Sequence, residues 1–126
     1  MSRNVYAIDH VQLAMPANGE AVARRFYGNL LGLQELAKPP NLAARGGLWY
    51  ACGALQLHLG VDSDFRAAKK AHPALRVRNL AGLRAALEAA GQPIKLDPEA
   101  IAGVNRFFTE DPFGNRIEFV ALEGSP

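Results

Sequence analysis

The feature that most constrains this 126-residue chain is that one order of elements occurs twice. Periodicity and turn residues predict strand, helix, strand, strand, strand in each half. The first half is predicted to hold strands over 5–15 and 33–36, a helix over 20–31 and a hairpin of 48–52 with 54–60. The second half is predicted to hold a strand over 72–78, a helix over 80–90, a short strand around Ile94 and a hairpin of 104–110 with 115–122. A repeat of about sixty residues is longer than solenoid repeats, so we expect one paired domain rather than an array.

Local signals place the helix ends and one irregular loop. Asn18 and Asn79 stand where each helix begins and are expected to cap it, and Gly32 and Gly91 are expected to end the two helices. The segment KPPNLAARGG, residues 38–47, carries two prolines and a glycine pair. These residues predict a loop without regular structure.

Composition limits the classes of function. The chain is 49% hydrophobic and 21% charged, which is typical of a globular domain. We expect one domain over residues 1–126, with a first repeat of about 5–60 and a second of about 71–123. The net charge is +2 without a run of Lys or Arg, so a nucleic-acid partner is not expected. No apolar run is long enough to span a bilayer, so we expect no membrane partner and a cytoplasmic location. The single Cys52 excludes an internal disulfide framework.

The polar faces of the long strands hold all three histidines of the chain. Opposite the apolar faces, alternation places four pairs of side chains: His10 and Gln12, Gln56 and His58, His72 and Arg76, Arg116 and Glu118. The repeat makes His10 equivalent to His72, and Gln56 equivalent to Glu118. Alternation alone leaves two interpretations open, a face exposed to water and a lined cavity.

Glu118 is the unusual residue on this surface, because it lies between Ile117 and Phe119 in an apolar strand. A buried carboxylate is neutralised, paired or bound to a cation. Two imidazoles and one carboxylate form a set that holds Fe, Mn, Zn, Ni or Co and leaves coordination positions open for substrate. A salt bridge from Glu118 to an arginine (Arg76, Arg106 or Arg116) is the competing interpretation.

Four segments, IDHVQLAMP, RRFYGNLLGLQEL, KAHPALRV and RFFTEDPFGNRIEFV, resemble the vicinal oxygen chelate superfamily of glyoxalases, bleomycin-resistance proteins, thiol transferases and extradiol dioxygenases. The resemblance covers nearly the whole chain. It implies an α+β fold of two βαβββ modules forming a cupped mixed sheet, with the helices on the outer face. It also implies one divalent metal ion in the cup and a homodimer in which the site is shared between subunits.

Carried onto this sequence, the resemblance implies His10, His72 and Glu118 as metal ligands. Glyoxalase I has a glutamate, both ligand and base, where this chain has Gln56. Gln cannot act as a base, so His58 becomes the candidate general acid/base or fourth ligand. The family's hairpin register places Arg106 and Phe108 on the face of Glu118. Arg106 is then a candidate catalytic residue that clamps an anion of the substrate, and Gln56, Arg106 and Phe108 are candidate substrate-binding residues.

These observations predict a metal-dependent enzyme acting on the vicinal oxygens of a small-molecule substrate. A glyoxalase-like lyase or isomerase, a thiol transferase and a ring-cleaving dioxygenase all fit, with the metal as Lewis acid. The alternative is a non-catalytic protein of the resistance type that sequesters a ligand in the cup. A third possibility is that Glu118 is only salt-bridged and the cup has no ligand.

Overall fold

The computed structural model describes residues 4–122 and contains two four-stranded mixed sheets. The first sheet has the order β1-β4-β3-β2, with β1 (His10–Met15), β2 (Gln34–Leu36), β3 (Leu48–Cys52) and β4 (Leu55–Val61). The second has the order β5-β8-β7-β6, with β5 (Ala74–Arg76), β6 (Ile94–Leu96), β7 (Val104–Glu110) and β8 (Arg116–Leu122). In the first sheet β1 pairs in parallel with β4, and in the second β5 pairs in parallel with β8. All other pairs are antiparallel. The two sheets therefore repeat one topology, and the prediction of two βαβββ modules is confirmed.

Each module has one main helix. Helix α1 (Glu20–Ala23) continues into a π-helical segment over Arg24–Leu30, which ends where the Leu31 amide donates to the Phe26 carbonyl at 2.9 Å. This segment differs from the regular helix expected from the sequence. Helix α3 (Leu80–Ala89) begins as predicted, because the Asn79 side chain accepts a hydrogen bond from the Gly82 amide at 2.9 Å.

The predicted cap of the first helix is wrong. Asn18 has a left-handed backbone with φ of 64°, and Gly19 occupies the position before the helix without a side-chain cap. Glycine is required there because a Cβ atom on Gly19 would lie 2.9 Å from the Phe113 ring. Packing against the other module therefore favours a residue without a side chain at this position.

The loop over 38–47 is not wholly irregular, as the sequence predicted, because α2 (Pro40–Ala43) lies inside it. Proline fits the first turn of a helix, where its missing N–H has no partner to lose. The strand predicted over 5–15 begins only at His10, because its partner β4 begins at Leu55 and the first pair is His10 with Gln56. His72 likewise lies just before β5 rather than within it.

The core lies between the apolar faces of the sheets and the helices. Side chains exposed by 8% or less fill it, including Leu13, Met15, Leu57 and Leu59 of the first sheet, Ile117 and Phe119 of the second, and Phe26, Tyr27 and Leu87 of the helical segments. Burial of each large apolar side chain stabilises the fold by about 1.5–3 kcal/mol. No helix within residues 4–122 is long and apolar enough to cross a membrane.

A buried polar turn joins the modules. Between β7 and β8, Asp111 accepts hydrogen bonds from the Asn115 side chain at 2.9 Å and from the Tyr27 hydroxyl at 2.7 Å. Asn115 also donates to the Ala14 carbonyl at 2.8 Å and accepts from the Ala68 amide at 3.0 Å. The DPFGN sequence is therefore more than a tight turn, because it ties the second sheet to β1 and to the π-helical segment.

Candidate metal and substrate site

The polar face of the first sheet carries a stack of three rings. His58 is 5% exposed and lies between His10, at a ring-centroid distance of 4.3 Å, and Trp49, at 4.2 Å. The register produces this arrangement, because Trp49 is opposite His58 across β3 and β4, while His10 is on the adjacent β1. The stack fixes the plane of the His58 ring.

His58 also contacts Gln56, which is two residues away on the same face. The His58 Nε2 atom lies 2.8 Å from the Gln56 side-chain oxygen. Because that oxygen only accepts, Nε2 carries the proton and Nδ1 has the lone pair when the ring is neutral. Burial lowers the pKa of His58, and the neighbouring His10 lowers it further. The neutral ring is the form that can accept a proton.

The polar face of the second sheet brings His72 and Glu118 together. The His72 Nε2 atom is 3.1 Å from a Glu118 carboxylate oxygen, and Glu118 is 8% exposed. The opposite ring nitrogen, Nδ1, is 2.8 Å from the Lys70 carbonyl oxygen. Since a carbonyl only accepts, Nδ1 carries a proton and the Nε2 atom of the neutral ring directs its lone pair toward the carboxylate. Two lone pairs facing each other need a cation or a proton between them.

Arg106 is the arginine that reaches Glu118. Phe108 lies directly opposite Glu118, so Arg106 is on the same face, as expected from the register. The Arg106 guanidinium is 3.6 Å from Glu118 and forms two shorter bonds to Asp97, at 2.8 and 3.1 Å. Its hydrogen bonds lower the pKa of the Asp97 carboxyl. Arg106 therefore already has two anionic partners.

His10, the third predicted ligand, lies apart from the other two. Its side chain is 44% exposed, and its Nδ1 atom is 2.9 Å from Asp9. Within residues 4–122 there is no group of three His, Cys, Asp or Glu side chains able to hold a metal ion. One chain thus brings together His72 with Glu118, and His10 with His58 and Gln56, but not the three predicted ligands.

Two contributors to the site gave no signal in the sequence, and a third, Trp49, could be expected from the sequence either to line the polar face or to pack in the core. Asp97, the partner of Arg106, lies in a segment that gave no pattern. The Lys70 carbonyl is a backbone group and leaves no signal in the residue type. Trp49 could have been found, because strand alternation places it opposite His58.

Comparisons with known proteins identify the family and the fold. The profile of the Glyoxalase/Bleomycin resistance protein/Dioxygenase superfamily matches residues 7–119. The chain belongs to this superfamily. A solved structure of a protein from Bacillus anthracis, assigned to the glyoxalase family, is 42% identical, with a TM-score of 0.90 over 98% of this chain and 100% of that one. The resemblance to the vicinal oxygen chelate superfamily is confirmed.

More distant members share the fold. Lactoylglutathione lyase from Agrobacterium tumefaciens is 19% identical, with a TM-score of 0.71 over 91% of this chain and 92% of that one. The fosfomycin resistance protein FosX from Listeria monocytogenes is 12% identical, with a TM-score of 0.72 over 93% and 91% of the two chains. No curated protein sequence matches. Relatives with different reactions therefore share one scaffold, and activity has to be argued from the site.

Proposed function

We propose that this protein is a divalent-metal-dependent enzyme acting on the vicinal oxygens of a small molecule. The observation that carries the proposal is the pairing of His72 with Glu118. A buried carboxylate lies 3.1 Å from the Nε2 atom of an imidazole whose other nitrogen is held by a backbone carbonyl. Metal-binding histidines typically show this second hydrogen bond, which fixes the tautomer.

In the first module, the Nδ1 atom of His10 is also held by a neighbouring oxygen, as that of His72 is in the second. Asp9 holds its Nδ1 atom, and its Nε2 atom has no hydrogen-bond partner within residues 4–122. A carboxylate on the far nitrogen makes the imidazole a better metal ligand. His10, His72 and Glu118 would together hold Fe, Mn, Zn, Ni or Co, with open positions for substrate.

We infer that two copies of the chain complete the site, with His10 from one and His72 and Glu118 from the other. Strands β1 and β5 each lie at one end of their sheet, where backbone groups lack a neighbouring strand. Just before β1, Val5, Tyr6 and Ile8 are 88%, 93% and 61% exposed. Exposed apolar side chains beside a sheet edge favour association with a second copy.

The other side chains have roles in this proposal that follow from their contacts. A metal in this position would supply Lewis-acid stabilisation of an oxyanion. His58 would accept or donate a proton, with Gln56 holding its tautomer. Arg106 would orient the Glu118 carboxylate, and would clamp a substrate anion only if it left Asp97. Phe108 would form an apolar wall beside His72, whose ring centroid is 5.6 Å away.

The test is metal content of protein purified without chelator or nickel affinity resin, followed by Mn²⁺ titration. We expect about one equivalent per chain in wild type and below about a tenth in Glu118→Gln and in His72→Ala. Glu110→Gln is the matched control, because Glu110 contacts Lys69 rather than a histidine. Less than about a tenth of an equivalent in wild type, without rebinding, refutes the proposal and favours ligand sequestration.

Mixing two defective variants tests the shared site. His10→Ala and Glu118→Gln chains each lack a ligand, and in a shared-site dimer one site of each mixed dimer has all its ligands. Equal mixing with exchange of subunits should restore about a quarter of the metal sites. A site within one chain would regain nothing.

A further inference from the structure

A small cavity of about 260 Å³ lies beside the His72–Glu118 pair. Phe108 connects the two, because it lines the cavity, pairs with Glu118 across the sheet and contacts the His72 ring. Whole-ligand pockets are usually about 300–1,000 Å³. A cavity of this size therefore suits one end of a substrate whose other end reaches the proposed metal ligands.

The walls of the cavity carry an excess of positive charge. Lys69, Lys95 and Arg116 contribute three cationic groups, against the single carboxylate of Glu110. Lys69 is 3.5 Å from Glu110, so these two charges offset each other. In the part of the chain that the structure describes, neither Lys95 nor Arg116 forms an ion pair. An anion entering the cavity therefore meets three cationic groups and one carboxylate, an excess of two positive charges.

Arg116 is held in a suitable orientation. Its guanidinium carbon lies 4.2 Å from the centroid of the Phe108 ring, which supports the planar group from one side. Among residues 4–122 the guanidinium donates no hydrogen bond, although the Arg116 backbone amide bonds to Ala68. Its fork of N–H groups matches the two oxygens of a carboxylate or phosphonate. Arg106 differs, because its N–H groups already donate hydrogen bonds to Asp97.

We propose that Arg116, assisted by Lys95, binds an anionic group of the substrate in this cavity. The substrate class is a small molecule that carries vicinal oxygens at one end and a carboxylate or phosphonate at the other. The inference rests on the proposed function for the position of the vicinal oxygens. The anion subsite itself is formed by residues that do not bind the metal.

The test uses metal-free, uniformly ¹⁵N-labelled protein in low salt, where charge pairing is least screened. The probes are phenylacetate, benzylphosphonate and the neutral phenylacetamide. We expect saturable shifts of the amides of Ile94, Lys95 and Thr109 with the two anions but not with the amide. Arg116→Met should raise the dissociation constant at least about tenfold, or about 1.4 kcal/mol, and Arg116→Lys should raise it less. Arg78→Met, an exposed arginine away from this cavity, is the matched control.

The outcomes separate the two proposals. Anion binding that depends on Arg116, in a protein that binds no Mn²⁺, supports the subsite and refutes the metal-dependent function. Stoichiometric Mn²⁺ binding without these amide shifts supports the metal-dependent function and refutes the anion subsite. The subsite is also overturned if phenylacetamide shifts the same amides equally, or if Arg116→Met binds the anions as wild type does. Tighter binding of one anion assigns the substrate group as carboxylate or phosphonate.

Discussion

Replacement of Asn115 by alanine should cost about 4 kcal/mol of unfolding free energy. Asn115 is 1% exposed and loses three side-chain hydrogen bonds, to the Ala14 carbonyl at 2.8 Å, the Asp111 carboxylate at 2.9 Å and the Ala68 amide at 3.0 Å. Two neutral bonds contribute about 1 kcal/mol each and the bond to a carboxylate about 1.5–3 kcal/mol. Because a domain is stable by about 5–15 kcal/mol, the variant should fold but unfold at much lower urea concentration.

Urea unfolding followed by circular dichroism measures this loss, with the slope against urea expected to stay unchanged. Asn105→Ala, an exposed asparagine in β7, is the control and should lie within about 0.5 kcal/mol of wild type. Asn115→Asp should lose at least as much as Asn115→Ala, because it places a second carboxylate beside Asp111. A loss below about 1 kcal/mol for Asn115→Ala would refute the proposed role of this turn in joining the modules.

Four further predictions concern other positions. Tyr27→Phe should lower the free energy of unfolding by about 1.5–3 kcal/mol, because the Tyr27 hydroxyl donates to Asp111. Tyr50→Phe should leave it nearly unchanged, because the Tyr50 hydroxyl has no partner among the described residues. Thermal unfolding of the two variants measures the difference. Burial, and then the charge of Asp111, raise the pKa of Tyr27 well above its usual value. Wild type should therefore lose stability as pH rises above about 10, by up to about 1.4 kcal/mol per pH unit. Tyr27→Phe should lose less stability over the same pH range, measured by urea titration at alkaline pH. Gly47→Ala should destabilise far more than Gly53→Ala in urea, because both residues have positive φ but only a Cβ atom on Gly47 would clash with the Leu59 carbonyl oxygen of β4; equal losses would contradict this. Asn79→Ala should cost about 1 kcal/mol by losing its helix cap, measured as a lower urea midpoint, and an unchanged midpoint would count against the cap.

The order of elements could be predicted because it depends on local patterns. Alternation defined β4, β7 and β8, and an asparagine followed by a leucine stripe defined α3 with its cap. Features set by packing between the modules could not be predicted in the same way. Asn18 has a left-handed backbone and does not cap the first helix, and Gly19 precedes the helix where a Cβ atom would lie against Phe113 of the other module.

The candidate site shows the same division. The family resemblance placed Arg106 and Phe108 on the face of Glu118, and the observed pairing of Phe108 with Glu118 agrees, whereas turn length alone leaves this register open by one residue. Alternation could not show that Arg106 is bonded to Asp97, since that contact depends on the course of a loop. Alternation also could not show that, among the described residues, His10 forms no metal-binding group with His72 and Glu118. Strand patterns do not encode how two sheets are oriented.

The ring stack on the first sheet has a practical consequence. Trp49 is the only tryptophan of the chain, and its indole lies on His58, which in turn lies on His10. Tryptophan fluorescence of the unmodified protein therefore reports on a single location, next to a proposed ligand. Any event that moves His58 out of the stack, or brings a charge to His10, changes the surroundings of this one fluorophore. The protein thus carries its own optical probe, at the half of the site that a second copy would have to cover.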